Sequence, residues 1–163
     1  MRLFGIDPGS AKLGFGVVDL ESGVFRLIDQ GVIQANRRTP FDRRLLKIHA
    51  ELAETLERHA PEVVVIEDVF YGRNARTTIK IGECRGVALL AAAQAGVEIA
   101  EYAPRDVKKA VVGHGGAGKQ QVQWMISRQF GLRSEDLGED AADALALCLA
   151  HGQRLILHHA HGR

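Results

Sequence analysis

Cysteine is scarce in this chain. Cys84 and Cys148 are its only two, each in an apolar context and far from any CxxC spacing. They read as free, buried thiols, which suits a reducing, cytoplasmic setting rather than a disulfide framework. Long hydrophobic runs are missing too. No stretch approaches the ~18 apolar residues of a membrane span. The start lacks the basic-then-apolar order of a secretory signal, so a cytoplasmic protein is expected. Seven histidines are present without a ligand-like grouping: His49 and His59 share one helical stretch, and His151, His158, His159 and His161 crowd the end. Structural zinc is therefore not expected. Net charge is nearly absent as well, at +1, and by itself argues neither for nor against a polyanionic partner.

The charge that is present is segregated. Arg37, Arg38, Arg43, Arg44 and Lys47 form one basic cluster, Arg73, Arg76, Lys80 and Arg85 a second, and Arg105, Lys108, Lys109 and Lys119 a third. Acids gather at Glu67-Asp68 and from Glu135 to Asp143. This pattern suits a polyanion surface around a cation-binding pocket. With 46% hydrophobic and 25% charged residues, the composition is that of an ordinary globular protein. Its length suits a single domain, taken as residues 1–157 with a short tail over 158–163.

Periodicity divides the chain into α and β segments. Strands are expected over 2–7 and 13–20, then 24–34 after the Glu21-Ser22-Gly23 turn. A helix follows, with Thr39 as its cap, Pro40 at its first position, and Leu45, Ile48, Leu52 and Leu56 on its inner face. Val63 to Ile66 is a continuous apolar run typical of a strand buried on both faces. Helices are expected over 77–95, 104–112, 120–130 and 139–157, with a short strand over 97–102. The order argues for one mixed five-stranded sheet, an antiparallel meander extended by parallel strands, flanked by helices.

Four carboxylates stand out against this frame. Leu3 to Ile6 delivers Asp7 at a strand end, and Pro8-Gly9 then forces a turn. Gly14 and Gly16 in the returning strand leave room for close approach to the backbone. Taken alone, this hairpin could hold a metal ion against a phosphodiester, wrap a nucleotide's phosphates, or do no more than cap a turn. The fourth strand repeats the device, ending in Glu67-Asp68. Asp140 and Asp143 lie three apart on a helix and share a face, where helix-start acids also favour the macrodipole. In the expected sheet Asp7 and Glu67 are neighbours, and the late helix packs across the same edge. Four oxygen donors without a Cys or His set suit hard cations, chiefly Mg²⁺ or Mn²⁺. Two such ions can drive an in-line phosphodiester displacement.

In combination these residues resemble the RuvC family of bacterial Holliday-junction resolvases, within the ribonuclease H-like superfamily. The likeness rests on Gly5-Ile6-Asp7-Pro8-Gly9-Ser10, Ile66-Glu67-Asp68-Val69-Phe70, Val107-Lys108-Lys109 with Val112-Gly113, and Asp140-Ala141-Ala142-Asp143-Ala144-Leu145. It runs from about Arg2 to His151. The resemblance implies a Mg²⁺-dependent endodeoxyribonuclease, with Mn²⁺ substituting and two ions per active site. It implies a homodimer that nicks a four-way DNA junction symmetrically in recombination and repair, working with the RuvA/RuvB branch-migration machinery. Asp7, Glu67, Asp140 and Asp143 match the family's catalytic, metal-binding acids, and Lys119 matches a basic residue assigned to the active site, where a lysine would neutralise charge developing on the scissile phosphate. Phe70 matches an aromatic placed near unpaired bases at the crossover, where it could stack on a splayed base. Lys108, Lys119 and the neighbouring Arg73, Arg76, Lys80 and Lys109 are the expected DNA contacts. The 77–95 helix, with Gly82 and Gly86 four apart, would form the dimer interface. Asp68 departs from the glutamine the family often carries there and is expected to point to the opposite side of its strand. The Gly113–Gly118 loop is richer in glycine than in many relatives.

Three rivals remain to be weighed. An actin-like or sugar-kinase ATPase shares the first hairpin but needs two such domains. A YqgF-type nuclease of RNA processing shares the acids, although the spacing of Lys108, Lys119 and Asp-Ala-Ala-Asp favours RuvC. A junction-binding module with a dead site would have lost a carboxylate, and all four are present.

Overall fold

The structure, a computed structural model, describes residues 1–68 and 74–161, the side chains of His159 and His161 excepted. Three strands open the chain: β1 (Arg2–Pro8), β2 (Lys12–Glu21) and β3 (Val24–Gln34). Ser22 and Gly23, both at positive φ, make the tight β2–β3 turn. Then come α1 (Phe41–His59), β4 (Val63–Glu67), α2 (Ala75–Gln94), β5 (Glu98–Tyr102), α3 (Pro104–Val112), α4 (Lys119–Phe130) and α5 (Glu139–His161). The sheet order is β3-β2-β1-β4-β5, with the first three strands antiparallel and β1, β4 and β5 parallel. The expected meander with parallel additions is thus present, and β1 is its centre.

Both faces of the sheet are covered, which is why its central strands read as unbroken apolar runs. Phe4, Ile6, Val64 and Ile66 pack with Ile48, Leu52 and Leu56 of α1 and with Ala88 of α2. Leu3, Val63 and Val65 point the other way, toward Val107 of α3, Ile126 of α4, and Leu145 and Cys148 of α5. Side chains alternate along a strand, so Asp7 follows Leu3 and Gly5 onto the α5 face, and Glu67 follows Val63 and Val65 onto the same face. Asp68 lies on the other side, paired with Arg85 of α2 at 3.5 Å, as its place in the strand implied. Both cysteines are buried, free thiols.

α5 lies directly on the sheet backbone, and glycines make this possible. A Cβ on Gly5 would run into the Ala144 carbonyl, and one on Gly14 into the Asp140 carbonyl. A Cβ on Gly16 would stand 2.6 Å from a Leu145 methyl. The close approach expected at Gly14 and Gly16 is made by α5 itself.

Two boundaries differ from expectation. Pro40, not Thr39, is the cap residue of α1, which begins at Phe41 without a side-chain cap. The local reason is Asn36, whose side chain accepts from the Arg38 N–H while its carbonyl accepts from the Thr39 N–H. Thr39 is consumed in that turn before the helix starts. α5 continues through His161, so the helix expected to end at 157 takes in residues 158–161 as well. Among the described residues, no helix is long and apolar enough to cross a membrane.

Gly14→Ala is expected to cost about 1–3 kcal/mol by overpacking, read as a lower urea midpoint. Because the clash is with helix backbone, the change should also shift the first turn of α5, visible in amide chemical shifts around Asp140.

Candidate active site

The carboxylates arrive on three separate elements. Asp7 ends the central strand in register with Gly14. Glu67 follows the Ile6–Ile66 pair on the adjacent parallel strand. Asp143 comes from the second turn of α5, next to Ala144 and Leu145, which lie against Gly5 and Gly16. With Lys108 of α3 and Lys119 of α4, these three acids line a cleft of about 180 Å³. A pocket for a nucleotide is typically 300–1,000 Å³, so the cleft suits ions, water and one phosphate group. Asp140 lies on the rim, its backbone over Gly14 and its carboxylate paired with Lys12 of β2.

Acids gathered here resist ionising. Burial, and then the charges of Glu67, Asp143 and Asp140, push the Asp7 carboxyl up to about 7. Burial, and then Asp143, push Glu67 up to about 7 as well. Burial also raises Asp143, with Lys119 offsetting part of the shift. Lys119 occupies the first position of α4, where the helix macrodipole opposes a cation. Glu139 at 2.6 Å and Asp143 at 3.4 Å hold it there. Burial works against the Lys119 ammonium, yet its hydrogen bond to Glu139 and the charges of Asp143 and Glu139 outweigh that and keep it firmly protonated. Shared between two acids, Lys119 offsets only part of the burial that raises Asp143, while the same two acids raise Lys119 itself.

The donor set is carboxylate oxygen throughout, matched to hard divalent cations. Raised pKa values at Asp7 and Glu67 mark negative charge that a cation would relieve. Among the described residues, no three carboxyl, thiol or imidazole groups close into a ligating cluster. The site is a shared negative field whose two helix acids are paired with lysines.

Other expected residues fall elsewhere. Lys109 is exposed and lines a separate groove with Tyr102, Asp106 and Arg154. Arg76 is exposed in the first turn of α2, and Lys80 stacks over Phe41 with its ammonium 5.5 Å from the ring centre. Phe70 and Arg73 lie outside the described residues. Two members of the basic clusters are structural. Arg44 is buried, donates to the Ser10 carbonyl at 3.1 Å and lies over the Phe41 ring. Arg85 binds the Glu67 carbonyl at 3.0 Å and pairs with Glu101. Sequence reasoning missed Lys12 altogether. The signal was strand alternation, since Lys12 shares a face with Gly14 and Gly16 and so must meet whatever packs on them.

Comparison with known proteins adds a family. The model for the crossover junction endodeoxyribonuclease RuvC matches residues 3–151. The RuvC of Chloroflexus aggregans is 45% identical over 151 residues, covering 93% of this chain and 92% of that protein. The RuvC of Koribacter versatilis is 45% identical over 152 residues, with the same coverage. A structure of Thermus thermophilus RuvC in complex with a Holliday junction substrate superposes with a TM-score of 0.85 at 38% identity, covering 93% of this chain and 92% of that one. The mixed sheet with its flanking helices is therefore a ribonuclease H-like fold.

The raised acids carry a cost that depends on pH. Asp7 and Glu67 hold protons in the folded chain at pH values where the unfolded chain has lost them, so folding weakens as pH rises from ~4 and the loss is complete above about 7. Urea unfolding of the metal-free protein should show this decline, at no more than about 1.4 kcal/mol per pH unit per carboxyl. Asp7→Asn should flatten it, and Mg²⁺ at pH 8 should restore stability.

Proposed function

Because the chain belongs to the RuvC family, we propose that it is a structure-selective endonuclease that resolves four-way DNA junctions by paired, symmetric phosphodiester hydrolysis. One observation carries this reading: Asp7, Glu67 and Asp143, brought from three elements, share a small cleft with Lys108 and Lys119. The family match over residues 3–151 favours this over a YqgF-type role in RNA processing.

Asp7, Glu67, Asp140 and Asp143 would hold Mg²⁺, or Mn²⁺ in its place, with two ions per site. Bound there, such ions supply a lowered pKa for water and charge stabilisation for the leaving oxygen of an in-line displacement. Asp7, delivered by the central strand between the other acids, is the one suited to serve both ions. Lys119 is paired with Glu139 and Asp143 and would be positioned to neutralise charge developing on the scissile phosphate. Lys108 brings a second cation to the same cleft and anchors the strand. The products would be 5′-phosphate and 3′-hydroxyl ends, which a ligase can seal.

Symmetric nicking needs two active sites, and α2 offers a place to join them. Ile79 and Leu90 are 62% and 53% exposed. Eleven residues apart, they lie on one helical stripe with Gly82 and Gly86 between them. A Cβ at either glycine would meet nothing within 4 Å, so the stripe is open to a second copy of the chain. RuvA and RuvB are the partners this reading assigns on the junction.

The testing experiment is cleavage of a synthetic four-way junction beside linear duplex and an RNA–DNA hybrid, with Mg²⁺ or chelator. Paired, Mg²⁺-dependent nicks in the junction alone are expected; cutting of the hybrid would overturn the reading. Asp143→Asn should abolish nicking with junction affinity nearly unchanged, and Lys119→Met should slow it roughly 10²–10³-fold. Ile79→Glu should turn the dimer into a monomer by analytical ultracentrifugation.

A further inference from the structure

The two acids of α5 are treated unequally. Asp143 faces the cleft and meets Lys119, whereas Asp140 lies on the rim and meets Lys12. We propose that Lys12 is an internal counter-ion for Asp140, a positioning residue that a divalent cation must displace before this acid can act as a ligand.

Backbone geometry holds Lys12 in place. Its carbonyl accepts the Gly9 N–H at 3.0 Å, closing the turn that follows Asp7. Next to it, Leu13 is fully buried on the opposite face of the sheet and prevents the strand from rotating. Two residues on, Gly14 lies against the Asp140 carbonyl, so strand and helix cannot separate locally. Only the Lys12 side chain is free to move. It is 45% exposed while Asp140 is 22% exposed, so a displaced ammonium returns to water and leaves the carboxylate without its counter-ion. Asp140 also contributes to the repulsion that raises Asp7, which places it within the electrostatic reach of the cleft. An acid held by a lysine at the edge of three acids that Lys119 relieves only in part is a ligand kept in reserve. Loading at Asp140 becomes a competition between a cation and a lysine built into β2.

The inference rests on the reading that the four carboxylates hold divalent cations, and its test separates the two. Binding of Mn²⁺ to the DNA-free protein is followed by the electron paramagnetic resonance of free Mn²⁺. Lys12→Met should tighten binding roughly two- to fivefold, the strength of a half-exposed ion pair, while Lys12→Arg, which keeps charge and reach, should leave it unchanged. In an Asp140→Asn background Lys12→Met should have no effect, because the interaction runs through that carboxylate. Weaker or unchanged binding in Lys12→Met would overturn the proposal. So would an equal gain in both backgrounds, which would mean a general field effect. Mn²⁺ binding that Asp7→Asn does not weaken would sink the metal reading, and this inference with it.

Discussion

The structure depends on one contact: α5 lies against the backbone of β1 and β2, with Gly5, Gly14 and Gly16 removing the side chains that would hold it off. A helix seated on side chains has some freedom to slide, because side chains repack. A helix seated on backbone does not, since carbonyls and amides of the sheet are fixed by their own ladder. That rigidity sets where Asp143 stands relative to Asp7 and Glu67, which come from strands in parallel register. Ala141, Ala142 and Ala144, all buried, complete the flat surface the contact requires.

Holding acids this close works against the fold. Asp7, Glu67 and Asp143 are each raised first by burial and then by neighbouring acids (Asp7 by Glu67, Asp143 and Asp140, Glu67 by Asp143, and Asp143 by Glu139 and Asp140), and the chain tolerates the repulsion by placing cations around them. Lys119 stands at a helix start that does not favour it, kept there by Glu139 and Asp143. Lys12 holds Asp140 on the rim. Arg85 braces the Glu67 carbonyl from behind, and Arg44 braces the turn after Asp7 through the Ser10 carbonyl. Basic residues here therefore do two jobs: those lining the cleft set its field, and those beneath it hold the strand ends in position.

Strand alternation and helical periodicity were enough to place β1 to β5 and all five helices within a few residues. Both signals come from burial on a regular backbone, and burial leaves a mark in every residue. The boundaries that moved lay where local polar chemistry competed. Asn36 drew Thr39 into a turn, and the end of α5 carries histidines that give no clear stop signal. Arg44 and Arg85 looked like surface charge because a run of basic residues does not say which of its members points inward.

The sequence by itself determined the fold class and singled out four candidate carboxylates, because strand-end acids, glycines at alternate strand positions and an Asp-x-x-Asp helix face are local patterns. It also carried the family likeness, through the order of those motifs along the chain. Tertiary structure alone decided that Asp143 enters the cleft while Asp140 stays on its rim. It decided too that Lys12 pairs with an acid 128 residues away. Such pairings depend on how a helix is seated on a sheet, and no spacing along the chain encodes a distance between two elements that meet only after folding.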